Sequence, residues 1–149
     1  MVAELLVYTD GSCKSGDEAP GGWGFYIKPP NGLPIEGHGS ATRTQAKVME
    51  YTAVAEALAA LPDRVAAKVF SDNESLVVNL DKKLRDWIES DFRNVDPSIV
   101  PIARRIASLI SEKALRLTWQ WVRSHNGNAG NQRADELARQ GAREAKVKP

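Results

Sequence analysis

The chain opens on Leu5, Leu6, Val7 and Tyr8, where apolar residues fill both alternating sets, and then breaks off at Thr9-Asp10-Gly11. That pattern predicts a strand covered on both faces that ends on a carboxylate. A polar turn over Lys14–Pro20 leads into a second strand, Gly21–Ile27. Lys28–Pro34 then connects to a short, glycine-rich third strand, Ile35–Ser40. Three strands joined by short turns predict an antiparallel meander.

From Thr44 to Leu61 the period changes. Good helix formers dominate without glycine or proline, and Glu50, Val54, Ala57, Leu58 and Leu61 fall on one helical stripe. Pro62-Asp63 ends this helix. Val65–Phe70 reads as a strand running into Ser71-Asp72-Asn73, and Glu74–Leu80 as the start of a helix. Asp81–Asp96 is charged, with Trp87, Ile88 and Phe92 as its anchors. Pro97–Lys113 predicts a helix with Ile99, Ile102, Ala103, Ile106, Leu109 and Ile110 inward and Pro101 in its first turn. Arg116–Val122 alternates as a strand, with Trp119 and Trp121 read as core. A polar loop, Arg123–Gly130, precedes a last helix from Gln132 towards Lys146, capped by Asn131. This succession predicts one α/β domain over residues 1–149, with a frayed tail at 146–149 and a mixed sheet carrying helices on its faces.

Composition adds bounds. Of 149 residues, 42% are hydrophobic and 26% charged, and the formal net charge is +1, so no global basic field announces a nucleic-acid partner. A single cysteine excludes an intramolecular disulfide and fits a reducing compartment. The stretch MVAELLVYTDG lacks a signal-peptide layout, and no apolar run approaches the roughly 18 residues of a membrane span. These features predict a cytoplasmic protein without membrane association, monomeric by default and with no obligate protein partner.

The chemistry lies in acids at element ends. Asp10 and Asp72 end two strands, Glu50 interrupts the apolar stripe of the helix between them, and Asp135 lies near the start of the last helix. Taken singly, Asp10 reads as a turn residue, Asp72 as a helix cap and Asp135 as complement to a helix dipole. Glu50 resists such a reading, because an apolar stripe rarely includes an unpaired acid. If the strands are neighbours the four acids converge, and their repulsion calls for divalent cations. All-oxygen ligands suit Mg2+ or Mn2+ rather than zinc. Beside such a cluster, His125 in the loop Ser124–Asn128 is a candidate for moving protons or aiding product departure.

The segments YTDGSC, MEYTAVAEAL, FSDNESLV, LTWQWVRSHNGN and NQRADELA, in this order and spacing, resemble type 1 ribonuclease H over nearly the whole chain. The resemblance implies an RNase H-like fold, with a five-stranded mixed sheet whose first three strands are antiparallel. It implies hydrolysis of the RNA strand of RNA–DNA hybrids. It also implies Asp10, Glu50, Asp72 and Asp135 as ligands of two metal ions, Mg2+ or in its place Mn2+, with His125 as the loop histidine. Two ions about 4 Å apart activate a water and stabilise the leaving 3′-oxygen, giving 5′-phosphate and 3′-hydroxyl ends. Asp10 is the candidate bridge between them.

The chain departs from that pattern at substrate-facing places. Where the family commonly carries an asparagine pair, Ala46 and Lys47 stand, after a matching Thr42-Arg43-Thr44. Glu74 replaces a frequent glutamine, and Ser15-Gly16-Asp17-Glu18-Ala19 replaces the usual turn after Cys13. The basic handle of well-known members is missing: Lys82, Lys83, Arg85 and Arg93 face Asp81, Asp86, Glu89, Asp91 and Asp96. The candidate substrate contacts are Gly11, Ser12, Cys13, Arg43, Thr44, Lys47 and Glu74, the first three lying, with Glu50, where the 2′-hydroxyl would be sensed. Lys14 and Arg123 are further phosphate candidates, while Arg139, Arg143, Lys146 and Lys148 give the last helix a basic side. Two other functions stay open on these grounds: the same metal site acting on double-stranded RNA or DNA junctions, and a non-catalytic nucleic-acid-binding module.

Overall fold

The computed structural model describes residues 4–13, 18–123 and 128–147. In chain order it runs β1 (Leu5–Cys13), β2 (Ala19–Lys28), β3 (Ile35–Thr44), α1 (Ala46–Ala60), β4 (Ala66–Ser71), α2 (Glu74–Val78), a π-helical turn (Asn79–Lys83), α3 (Leu84–Glu89), α4 (Val100–Glu112), β5 (Arg116–Trp121) and α5 (Ala129–Val147). The five strands form one mixed sheet in the order β3-β2-β1-β4-β5. The first three are antiparallel, and β4 and β5 run parallel to β1.

Alternation along β1 assigns the two faces. Leu5, Val7 and Thr9 point to one side, where Val7 and Val69 lie opposite each other and α1 covers them with Val54, Ala57 and Leu58, all fully buried. Leu76, Leu80, Phe92, Ile99, Ala103 and Ile106 extend this core. Each valine, leucine, isoleucine or phenylalanine among them contributes about 1.5–3 kcal/mol by leaving water. Tyr8 and Asp10 point to the other side, where Tyr8 stacks on Phe70 at 4.6 Å and α5 supplies Ala134, Leu137 and Ala138.

Helix α5 lies unusually close to the sheet because glycines face it. A Cβ at Gly24 would come within 2.6 Å of the Ala138 amide nitrogen, and one at Gly141 within 2.0 Å of the Gly39 carbonyl oxygen. No side chain larger than hydrogen fits at those contacts.

Several boundaries differ from the sequence reading. β3 continues to Thr44 instead of stopping at Ser40, because its pairing with β2 extends to Ala19↔Thr44. Ile88 is half exposed; Leu84, Phe92 and Val95, with Trp87 in part, anchor the charged segment instead. There Asp91, Phe92 and Asn94 take left-handed φ angles, and Arg104 holds the turn by bonding Asp91 (2.8 Å) and covering the Phe92 ring. The last helix begins at Ala129. Asn128 caps it by accepting from the Asn131 amide (2.9 Å), while Asn131, the expected cap, is buried. Asp135 consequently sits in the second turn, beyond the reach of the helix-end dipole that was expected to favour it.

Candidate active site

The site forms where the parallel β1–β4 pairing ends: β4 stops at Ser71, whereas β1 runs on to Cys13 because it stays paired with β2, so Asp10 lies inside the strand and not at its end as the sequence pattern predicted. Tyr8 lies opposite Phe70 in their parallel register, so two residues further along Asp10 comes beside Asp72 on the same face. Asp72 is not a helix cap. Asn73 has that role, its side chain accepting from the Leu76 amide at 3.0 Å, while the Ser71 hydroxyl accepts from the Asn73 amide at 3.1 Å. Asp72 is thereby left to face the site. Its carbonyl accepts from the indole Nε1 of Trp121 at 3.2 Å, which pins the end of β4 to β5.

Glu50 arrives from the opposite face of the sheet. It can do so because residue 11 is glycine: a Cβ there would stand 2.6 Å from the Glu50 amide nitrogen and 2.7 Å from the Met49 carbonyl carbon. With hydrogen in its place, α1 comes down onto the end of β1. The Gly11 amide donates to Asp10 Oδ1 at 2.9 Å and also lowers the Glu50 pKa by hydrogen bonding.

One carboxylate oxygen from each of Asp10, Glu50 and Asp72 lies within 4.8 Å of the others. Asp10 is buried, and burial is the first cause that pushes its carboxyl up to about 9, followed by the charges of Glu50 and Asp72 and a hydrogen bond to Asp135. Burial first, and then the Asp72 charge, pushes Glu50 up to about 8. Glu50 Oε2 is buried and has no hydrogen-bond partner. Clustered acids held near one another with an orphaned oxygen stay ionised at neutral pH only when positive charge is supplied. An all-carboxylate donor set of this kind fits a hard divalent cation.

Asp135 lies outside the tight triad. It reaches Asp10 by a hydrogen bond, while its Oδ2 stands 3.1 Å from Arg139 Nη2. The close packing of α5 at Gly24, directly opposite Asp10 in the β1–β2 register, sets its position at the rim. His125 lies outside the described residues, as do Lys14 and Lys148.

The other expected residues are arranged around this centre. Gly11, Ser12 and Cys13 finish β1, and the Cys13 thiol, raised by burial, approaches the carbonyls of Ala19 (3.7 Å) and Thr44 (3.6 Å). Thr44 is buried at the end of β3, and Glu74 is exposed in the first turn of α2. Arg43 is ion-paired with Glu18, and Lys47 with Asp96 at 2.9 Å, so both cations have acid partners. Trp119 and Trp121 pack partly buried against the core. The supporting roles of Trp121 and Gly24 are invisible in the sequence, since each depends on a neighbour from another element, whereas Asn73 takes by a local contact the cap role that the sequence offered to Asp72. A larger surface cleft, lined by Ile88, Phe92 and Arg104, lies away from the acids.

Comparison with known proteins agrees with this geometry. A family profile described as RNase H matches residues 3–143. The ribonuclease H of Polaromonas sp. (strain JS666) is 34% identical over 145 residues, covering 95% of this chain and 90% of its own. That of Hyphomonas neptunium is 37% identical over 147 residues, covering 95% and 94%. Among solved structures, LC9-RNase H1, a type 1 RNase H with the type 2 active-site motif, superposes with a TM-score of 0.81 at 21% identity, over 97% of this chain and 74% of that one. LC11-RNase H1 in complex with RNA/DNA hybrid gives 0.74 at 23%, over 97% and 100%. The family uses divalent metal ions, as the orphaned oxygen and clustered carboxylates require. By sequence over nearly its full length, and by a fold that gathers three acids where the pairing of two parallel strands ends, the chain belongs to the RNase H family of ribonucleases.

Proposed function

We propose that this chain hydrolyses the RNA strand of RNA–DNA hybrids, using two divalent cations, Mg2+ with Mn2+ as a substitute, and leaving 5′-phosphate and 3′-hydroxyl ends. The observation that carries the reading is the triad of Asp10, Glu50 and Asp72, with its buried, partnerless Glu50 oxygen. Bound divalent cations would supply Lewis-acid stabilisation of the phosphodiester and lower the pKa of an attacking water. Asp10, innermost and flanked by Glu50, Asp72 and Asp135, would be the central residue holding them. Asp135, at the rim and balanced by Arg139, would complete the second site.

The remaining tasks belong to the surrounding chain. Gly11, Ser12 and Cys13 offer backbone and small side chains to the sugar edge, where a 2′-hydroxyl distinguishes RNA from DNA. Thr44 and Glu74 flank the groove, and Arg43 and Lys47 can exchange Glu18 and Asp96 for phosphates. His125, by its place in the loop after β5, would take or give a proton as product leaves. We assign the whole chain to one catalytic domain acting as a cytoplasmic monomer, in keeping with its single cysteine. Among the described residues no helix is long and apolar enough to cross a membrane.

The test is cleavage of end-labelled substrates in Mg2+, Mn2+ and EDTA. Hybrid should be cut internally in either metal and survive in EDTA. Cutting of double-stranded RNA or DNA junctions in preference to hybrid would move the same site to another duplex. Binding that survives EDTA with no cleavage in Mg2+ would reduce the chain to a binding module.

A further inference from the structure

Beside the acids lies a second concavity of about 290 Å3, lined by Ser12, Cys13, Arg139, Ala142, Arg143 and Lys146. One wall is the last turnless stretch of β1, immediately beyond Asp10 and Gly11. The other is the outer half of α5, immediately beyond Asp135. Both walls therefore start at the acidic centre and lead away from it.

The helix wall is a graded line of positive charge. With a rise of 1.5 Å per residue, Arg143 stands about 12 Å and Lys146 about 16 Å along the axis from Asp135. Arg139, at the inner end, is bridged to Asp135 at 3.1 Å. Arg133, two residues the other way, is held by Glu36 and Glu136 and does not line the groove. Arg143 is exposed and forms no ion pair with a described residue. The opposite wall presents the Ser12 hydroxyl and the Cys13 thiol, small groups that leave room for a sugar and its phosphate.

We propose that this groove is a phosphate track for the scissile RNA strand, in which Arg143 and Lys146 hold backbone phosphates on one side of the cut while Ser12 and Cys13 line the sugar face. The proposal rests on the hybrid-cleaving function and specifies how the substrate is gripped. It also answers an electrostatic need. The net charge is only +1, and Asp81–Asp96 holds more acids than bases, so attraction to a polyanion has to come from a local patch. A track continuous with the acids places such a patch where the strand leaves the site. Phosphate contacts of this kind position a strand and add salt dependence without reading sequence.

The experiment uses the full-length protein with both cations reversed, Arg143→Glu/Lys146→Glu, and a charge-matched control pair at the opposite end of the sheet, Arg64→Glu/Arg116→Glu. Hybrid cleavage is followed in Mg2+ across a salt series, with thermal melting to confirm folding. The groove variant should show KM raised at least about fivefold at physiological salt, unchanged kcat, and a slope of log affinity against log salt shallower by about 2. The control pair should leave KM and slope as in the wild type. An unchanged KM and slope in the groove variant, with wild-type cleavage intact, overturns the track and leaves the hybrid-cleaving reading standing. Equal effects of groove and control pairs also overturn it, by reducing the effect to net charge. Wild-type protein that neither binds nor cuts hybrid overturns both readings together. Should the double reversal fail to fold, Arg143→Gln alone carries the same test, with a slope change of about 1.

Discussion

The indole N–H of Trp121 donates to the main-chain carbonyl of Asp72 at 3.2 Å, tying the last residue of β5 to the acid that follows β4. This bond joins the site's position to the register of two parallel strands, in which Trp121 lies opposite Ser71. Trp121→Phe keeps most of the ring's packing and removes the donor. It should destabilise by about 1 kcal/mol, a fall in Tm of roughly 3 °C, and lower kcat several-fold with little change in KM. An unaltered kcat would leave Trp121 as packing alone.

Asp10→Asn should separate folding from chemistry. The amide keeps the shape but withdraws a ligand and a charge from a site where acids crowd. Hybrid cleavage should fall by at least about a thousandfold while circular dichroism stays native. In EDTA at pH 8 the variant should melt higher than the wild type, because it relieves the repulsion that pushes Asp10 up to about 9 and Glu50 up to about 8. Near-full activity would remove Asp10 from the mechanism.

The same repulsion fixes the sign of a pH effect. Folding raises the pKa of Asp10 from an ordinary 3.8 and of Glu50 from 4.5, so the folded state holds more protons than the unfolded one across the interval up to 8 or 9. The contribution of these groups is fully favourable below about pH 4 and is lost as pH rises through their folded values. In EDTA, the Tm advantage of Asp10→Asn over wild type should therefore grow from pH 5 to pH 8. The Tm increment from added Mg2+ should be larger at pH 8 than at pH 5, since the cation binds ionised carboxylates. A Mg2+ increment independent of pH would show that the acids do not hold the ion.

Gly11→Ala places a methyl group 2.6 Å from the Glu50 amide nitrogen, which is backbone and cannot swing aside. Helix α1 must move off β1, taking Glu50 with it. We expect a stability loss of roughly 1–3 kcal/mol and, separately, weaker Mg2+ affinity by calorimetry on protein that remains folded. Unchanged Mg2+ affinity would mean that the close approach serves packing and not the site.

His125→Ala should lower turnover more than it weakens hybrid binding, as measured by kcat against the affinity of the Asp10→Asn background for hybrid. Turnover equal to wild type would return His125 to an ordinary loop residue.

Sequence alone settled the strand periods, the apolar stripe carrying Glu50 and the placement of Asp72 just past a strand, because these follow from side-chain alternation and helical spacing within one segment. It ended β1 too early, at Asp10, since the pairing with β2 that carries the strand to Cys13 lies between segments. It also carried the family resemblance. The structure alone decided what depends on contacts between segments. The Tyr8↔Phe70 register brings Asp10 to Asp72, and the missing Cβ at Gly11 admits Glu50. Gly24 and Gly141 seat α5 so that Asp135 reaches the rim, whereas Asn128, by capping that helix early, moves Asp135 out of its first turn. A glycine in a strand looks like a turn or a weakness when read along the chain. Only the element packed against it reveals that close approach is its purpose, since the clash it avoids is with atoms distant in sequence.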